Sequence, residues 1–287
     1  MKRYLLLLLI ALISACGSSK KEASGPVIAV SILPQQYLLK HIVDTLAEVQ
    51  VLVPPGASPA TWEATPSEMR ALGDALIYYR IGHIGFEKAW IEDIMNLNPG
   101  LKIIDLSSTL KLRSIDSRHG DHSHTGIDPH TWMSAENMEI MARQIYGDMS
   151  MLFPEHKDMI RKNYAALLAE IKESGRYARE KLAAHKGKSF LIFHPSLGYF
   201  ADAYGLEQIA IEYEGKEPSP AHLETIVKKA REKNIHTIFV QKEFDVRNAE
   251  IIADEIEAKI IIIDPLSEDW PGAMKQLVNS LNKSFNE

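Results

Sequence analysis

Short apolar runs rich in β-branched residues recur along the chain at residues 27–32, 48–53, 75–79 and 102–106. The stretches between them, such as 35–46 and 86–97, carry the 3–4-residue apolar spacing of amphipathic helices. The same alternation returns after residue 187, with runs at 189–193, 208–211, 237–240 and 259–263. Strands alternating with helices pack as a parallel sheet covered by those helices. Between the two sets lies a charged, Ala- and Leu-rich stretch, residues 156–185, with no proline and only Gly175 as a breaker. It predicts one continuous helix of roughly 45 Å at 1.5 Å rise per residue. The expected fold class is therefore α/β: two (β/α)4-type lobes with parallel sheets joined by one long backbone helix. The lobes are expected at 26–150 and 188–287 with the linking helix at 151–187, and a helical link predicts limited rather than wide hinge motion.

Ahead of residue 26 the pattern changes. Lys2 and Arg3 precede an apolar run, residues 4–13, which small residues close before Cys16. That run is too short for the roughly 20 residues a membrane span requires. It resembles a bacterial lipoprotein signal, with 1–15 as the cleaved peptide, Cys16 as the lipidated residue and 16–25 as a lipidated Cys and flexible tether. An ordinary secretory signal with a chance cysteine is the alternative. No later run is long and apolar enough to span a bilayer, so the expected body is soluble, on the periplasmic or extracellular face of a bacterial membrane and attached through its lipid only.

Charge and cysteine content narrow the chemistry. A formal net charge of -6 and a pI near 6.0 argue against nucleic acid as a partner. The single cysteine allows no internal disulfide and no Cys-x-x-Cys zinc cluster. Any metal must be held by His and carboxylates. No His-Glu-x-x-His, Gly-x-Ser-x-Gly or phosphate-binding Gly-x-x-x-x-Gly-Lys-Ser/Thr motif is present, and no residue is marked as a nucleophile, so the expectation is a protein that is not an enzyme.

In open α/β sheets, ligands bind beyond the carboxyl ends of strands. His83, His194 and Asp264 directly follow apolar runs there, and His130 lies in Asp128-Pro129-His130-Thr131-Trp132, where Asp128 or Pro129 can open a helix. Each alone is more often a structural residue than a ligand; their shared location favours a site. Imidazoles with one carboxylate suit zinc, and manganese or iron at lower affinity.

Several segments together carry a family resemblance: Val53-Pro-Pro-Gly-Ala-Ser-Pro, Thr65-Pro-Ser, Asp128-Pro-His-Thr-Trp-Met-Ser, His194-Pro-Ser-Leu-Gly-Tyr-Phe-Ala-Asp-Ala-Tyr-Gly-Leu, Glu217-Pro-Ser-Pro-Ala-His-Leu and Asp264-Pro-Leu. In this order, over nearly all of residues 26–287, the chain resembles the zinc/manganese solute-binding lipoproteins of ABC importers, most closely the high-affinity zinc-uptake component. The resemblance implies a monomer that binds one metal ion between its lobes, most favourably Zn2+ with Mn2+ second, and passes it to an ABC permease driven by a cytoplasmic ATPase. It also implies that His130, His194 and Asp264 are ligands.

The family's first ligand does not carry over, because Ala60 stands where a histidine is usual. Three readings remain open: His83 moves into the vacant position, water or Glu63 completes a three-ligand site, or the site binds something else, such as manganese or a larger metal chelate. His119, His122 and His124 resemble a reduced version of the family's His-rich loop, with a solvated loop as the alternative. Glu87 can orient His83 or simply favour a helix start; Trp62, Trp132 and Trp270 can line the cleft or fill the core; Ser219 is expected to cap a helix. A metal-dependent hydrolase lacks a motif-marked general base, and a cell-adhesion role has no positive support in the sequence.

Overall fold

The structure, a computed structural model, describes residues 25–116, 125–212 and 219–287. The expected signal peptide and Cys16, the His119, His122 and His124 segment, and Glu217 with Pro218 lie outside the described residues.

The first lobe begins β1 (Val27–Val30), α1 (Leu33–Val43), β2 (Glu48–Val51), α2 (Pro66–Ala71), β3 (Ala75–Arg80), α3 (Gly85–Leu97) and β4 (Lys102–Asp105). Its four strands are all parallel in the order β2-β1-β3-β4. A short antiparallel pair follows, β5 (Ser114–Asp116) with β6 (Thr125–Ile127), which the apolar pattern did not announce. A 3-10 turn at Thr131–Met133 leads into α4 (Ala135–Leu152), and α5 (Lys157–Leu182) carries the chain across.

The second lobe contains β7 (Ser189–Ile192), α6 (Gly198–Tyr204), β8 (Glu207–Ala210), α7 (Pro220–Glu232), β9 (Thr237–Gln241), α8 (Arg247–Glu255) and β10 (Lys259–Ile263). Its parallel sheet has the order β10-β9-β7-β8. Each of the eight apolar runs became a strand of one of these two sheets. The α/β fold with two parallel four-stranded lobes and one long joining helix is thus the one the alternation implies.

Helix α5 buries Ile160, Leu167, Ile171, Gly175, Ala178 and Leu182, a spacing that keeps one face inward over 26 residues. Gly175 does not break it. A Cβ there would stand 3.0 Å from the Ala135 Cβ, so glycine lets the start of α4 approach α5 closely. Helix α9 (Trp270–Ser284) then leaves the second sheet and packs along α5.

This return produces one apolar core shared by both lobes. Ile28 and Tyr79 of the first sheet, Phe190 and Phe239 of the second, and Trp270 and Leu277 of α9 all belong to it. The opposite face of the second sheet, with Leu191, Ile238 and Val240, packs into a smaller core against α7 and α8. Along β7 the burial alternates between the two cores, as strand geometry requires.

Candidate metal centre

The strand ends of both lobes open onto a cleft of about 1080 Å³. His83, His130 and His194 all line it, with Ala60, Trp132 and Glu243.

His130 and His194 come together from opposite lobes, with Nε2 atoms 3.2 Å apart. His130 is set just before the 3-10 turn, where Asp128 Oδ1 accepts both its backbone N–H at 3.0 Å and its Nδ1–H at 2.8 Å. His194 follows β7, and its Nδ1 donates to Glu212 Oε2 at 2.7 Å. A carboxylate only accepts, so each Nδ1 donates to its carboxylate, and the two Nε2 atoms are left facing each other. Two ring nitrogens facing at this distance need a proton or a metal cation between them. Two nitrogens bound tetrahedrally at 2.0–2.1 Å from one zinc would stand about 3.3 Å apart, close to the observed separation.

The electrostatics around His130 favour its neutral form. Burial lowers the His130 pKa below its ordinary value despite the neighbouring Asp128, so the ring is neutral at neutral pH. Burial would raise Asp128, but its bonds to His130 and the nearby Arg113 guanidinium outweigh it and hold the carboxyl below the usual range. Arg113 reaches Asp128 Oδ2 at 3.3 Å and Asp202 of α6 at 3.0 Å, tying this support to the second lobe. Tyr199 adds another tie: its hydroxyl donates to the Asp128 carbonyl and accepts the Arg113 N–H.

The His194 side is equally well fixed. Gln241 Oε1 accepts the His194 N–H and its Nε2 donates to the His194 carbonyl. The Phe244 ring stacks on the imidazole with centroids 5.0 Å apart.

His83 sits differently. It follows β3 in a turn where Gly82 and His83 both have positive φ, 83° and 67°. Gly82 is required twice over, since a Cβ would also run into Ser107 and Asp105. Burial lowers the His83 pKa, and no carboxylate hydrogen-bonds its ring among the contacts of the described residues. Ala60 lies close by: Phe86 N–H donates to Pro59 O at 3.4 Å, and a Cβ on Gly85 would be 2.9 Å from Ala60 O.

Glu87 does not hold the His83 ring. It is buried at the first turn of α3 and accepts from Ile81 N at 2.7 Å, Gly82 N at 2.8 Å and the Ser31 hydroxyl, so it anchors the turn that presents His83. Burial pushes its carboxyl up to about 7.

Asp264 follows β10, where its Oδ2 meets Lys242 Nζ at 2.5 Å and its Oδ1 accepts Leu266 N–H at 3.2 Å. Among the described residues, no third His, Cys, Asp or Glu joins His130 and His194 at coordinating range. Trp132 and Trp270 are both buried, with indole N–H groups bonded to the Pro265 and Trp132 carbonyls; Trp132 alone of them also lines the cleft. Trp62 packs edge-on to Phe86. Ser219 caps α7 by accepting His222 N–H.

Asp128 and Glu212 were not singled out as supports in the sequence, although both were within reach of its rules. Asp128 stands two residues before His130, and Glu212 follows the strand run at 208–211.

Two parallel-sheet lobes on one rigid helix, with imidazoles converging between them, define the class: a solute-binding protein for a metal ion. The chain belongs to the family described as "Zinc-uptake complex component A periplasmic", whose sequence model matches residues 28–284. Members are metal-binding components of transport and not enzymes. The high-affinity zinc uptake system protein ZnuA of Bacillus subtilis is 24% identical over 274 residues, covering 89% of this chain and 85% of its own. The manganese-binding lipoprotein MntA of Halalkalibacterium halodurans is 23% identical and covers 82% of this chain and 79% of its own. A crystal structure of ZnuA superposes with a TM-score of 0.84 at 34% identity, covering 91% of this chain and 99% of that one. Zinc is therefore the family's ligand, with manganese bound by some relatives. Among the described residues, no helix is long and apolar enough to cross a membrane.

Proposed function

We propose that this protein captures Zn2+ outside the cytoplasm and delivers it to an ABC permease driven by a cytoplasmic ATPase, while a lipid on Cys16 holds it at the membrane. The ion sits between the Nε2 atoms of His130 and His194, with Asp264 and, in place of the histidine missing at Ala60, His83 completing the set. The observation that carries the reading is the pair of Nε2 atoms facing across 3.2 Å, each ring oriented by a carboxylate on its Nδ1. Imidazole donors favour zinc over manganese. His83 fits the vacant position because it lines the same cleft and its turn packs beside residues 59–60.

Calorimetric titration of metal-stripped protein with Zn2+ in the presence of a competing chelator tests the reading. One tightly bound ion per chain is expected; no tight binding overturns it. The cleft volume of about 1080 Å³ far exceeds an ion and favours a second reading, in which the same residues take zinc already held by a small chelator. That reading predicts weak binding of free Zn2+ and tight binding of the chelate.

A further inference from the structure

Beyond the two imidazoles, the cleft holds a carboxylate with one buried oxygen unpaired among the described residues. Glu243 lines the cleft, and its Oε1 is buried without a hydrogen-bond partner among the described residues. A buried carboxylate oxygen without a donor is destabilising, and proteins keep such groups where a ligand supplies the missing contact. The segment that carries it is fixed to the site: Gln241 brackets the His194 backbone and Phe244 stacks on its ring, so Glu243 lies between two residues that hold one imidazole. It is near enough to the His194 ring and to the Asp264 carboxylate for both to act on its charge. Asp264, in contrast, already has both oxygens engaged, by Lys242 Nζ and by Leu266 N–H.

We propose that Glu243 is a carboxylate ligand of the ion, its free Oε1 turning onto the metal held by His130 and His194. The movement is a side-chain rotation, since the backbone on both sides is already anchored to the site. Glu243 then supplies negative charge to the divalent ion before Asp264, which must first leave Lys242, adds its own. A hard oxygen donor beside two imidazoles keeps the site suitable for zinc and also admits manganese.

This inference rests on the zinc-binding reading, and one set of titrations separates the two. Metal-stripped parent, Glu243→Gln and His130→Ala proteins are titrated with Zn2+ against a competing chelator, and their melting temperatures are read with and without zinc. Glu243→Gln is expected to weaken zinc by about 10- to 100-fold or more, at least the range lost with an outer-shell partner. Its metal-free melting temperature should be unchanged or higher, because the charge on a carboxylate with one unpaired buried oxygen has been removed, while its zinc-induced rise should shrink. Equal zinc affinity in parent and Glu243→Gln, with His130→Ala defective, overturns the role of Glu243 and leaves the zinc reading standing. No tight binding by the parent overturns both.

Discussion

The two ends of the cleft are built to different standards. At one end, His130 and His194 each donate Nδ1–H to a buried carboxylate and present Nε2 to the other across the lobes. At the other, His83 sits in a left-handed turn with no such carboxylate on its ring among the described residues, and Asp264 is occupied by Lys242. On the proposed ligand set, the difference teaches that half of the coordination is organised before an ion arrives, while the other half must break an ion pair or reorient a ring. Affinity is then set by the fixed half and tuned by the adjustable one.

That contrast can be broken most directly at the fixed end. His130→Ala should weaken zinc by about 1000-fold or more, roughly 4 kcal/mol, in a chelator-competition titration. A loss of under tenfold would mean the ion is held elsewhere.

The adjustable end rests on Glu87, whose carboxyl titrates near 7 in the folded protein and near 4.5 when free. A raised carboxyl pKa favours the folded state while it is protonated, so that contribution is complete below about pH 4.5 and is lost as pH rises through 7. The change is on the order of 3 kcal/mol. The apparent melting temperature of the metal-free parent, followed from pH 5 to 8, should fall relative to that of Glu87→Gln. Parallel curves would show that Glu87 does not titrate in this range.

Removing a support instead of a ligand sharpens the comparison. Glu212→Gln and Asp128→Asn should each cost about 10- to 100-fold in zinc affinity, through loss of imidazole orientation and basicity. Unchanged affinity in both would remove the claim that the carboxylates prepare the pair. His83→Ala should cost less than His130→Ala, about tenfold or 1.4 kcal/mol, because part of its coordination energy goes into bringing it to the ion. A loss as large as that of His130→Ala would make the two ends equal. The smallest effect is expected from Lys242→Met, which frees Asp264 from a partly exposed ion pair worth at most about 1 kcal/mol and should tighten zinc up to about fivefold. Weaker binding in this variant would show that Lys242 supports the site instead of competing for it.

The fold was legible because apolar β-branched runs and helical spacing are local properties of the chain, and each run at 27–32 through 259–263 became a strand. Helix α5 was legible too, although Gly175 reads as a breaker in sequence and serves in the structure as the point where α4 comes closest. The departure of α9 from the second sheet was not, since nothing local distinguishes a helix that packs on its own lobe from one that packs on α5. For the candidate site, the strand-end rule pointed to His83, His194 and Asp264, of which His83 and His194 line the cleft. Applied to the runs at 208–211 and 237–240 as well, it reaches Glu212 and the Lys242-Glu243 pair. What no spacing could disclose is that Asp264 faces an ammonium group, because that contact joins residues 22 apart across two strands.

The return of α9 also sets an order of events. Trp270, Met274, Leu277, Val278 and Leu281 complete the core that holds Ile28, Tyr79 and Trp132, and the Trp270 indole closes a hydrogen bond to the Trp132 carbonyl 138 positions earlier in the chain. A ribosome that has released only the first lobe has therefore made a chain whose main core lacks one wall. Such a chain gains its full cooperative stability only after residues 270–281 have emerged.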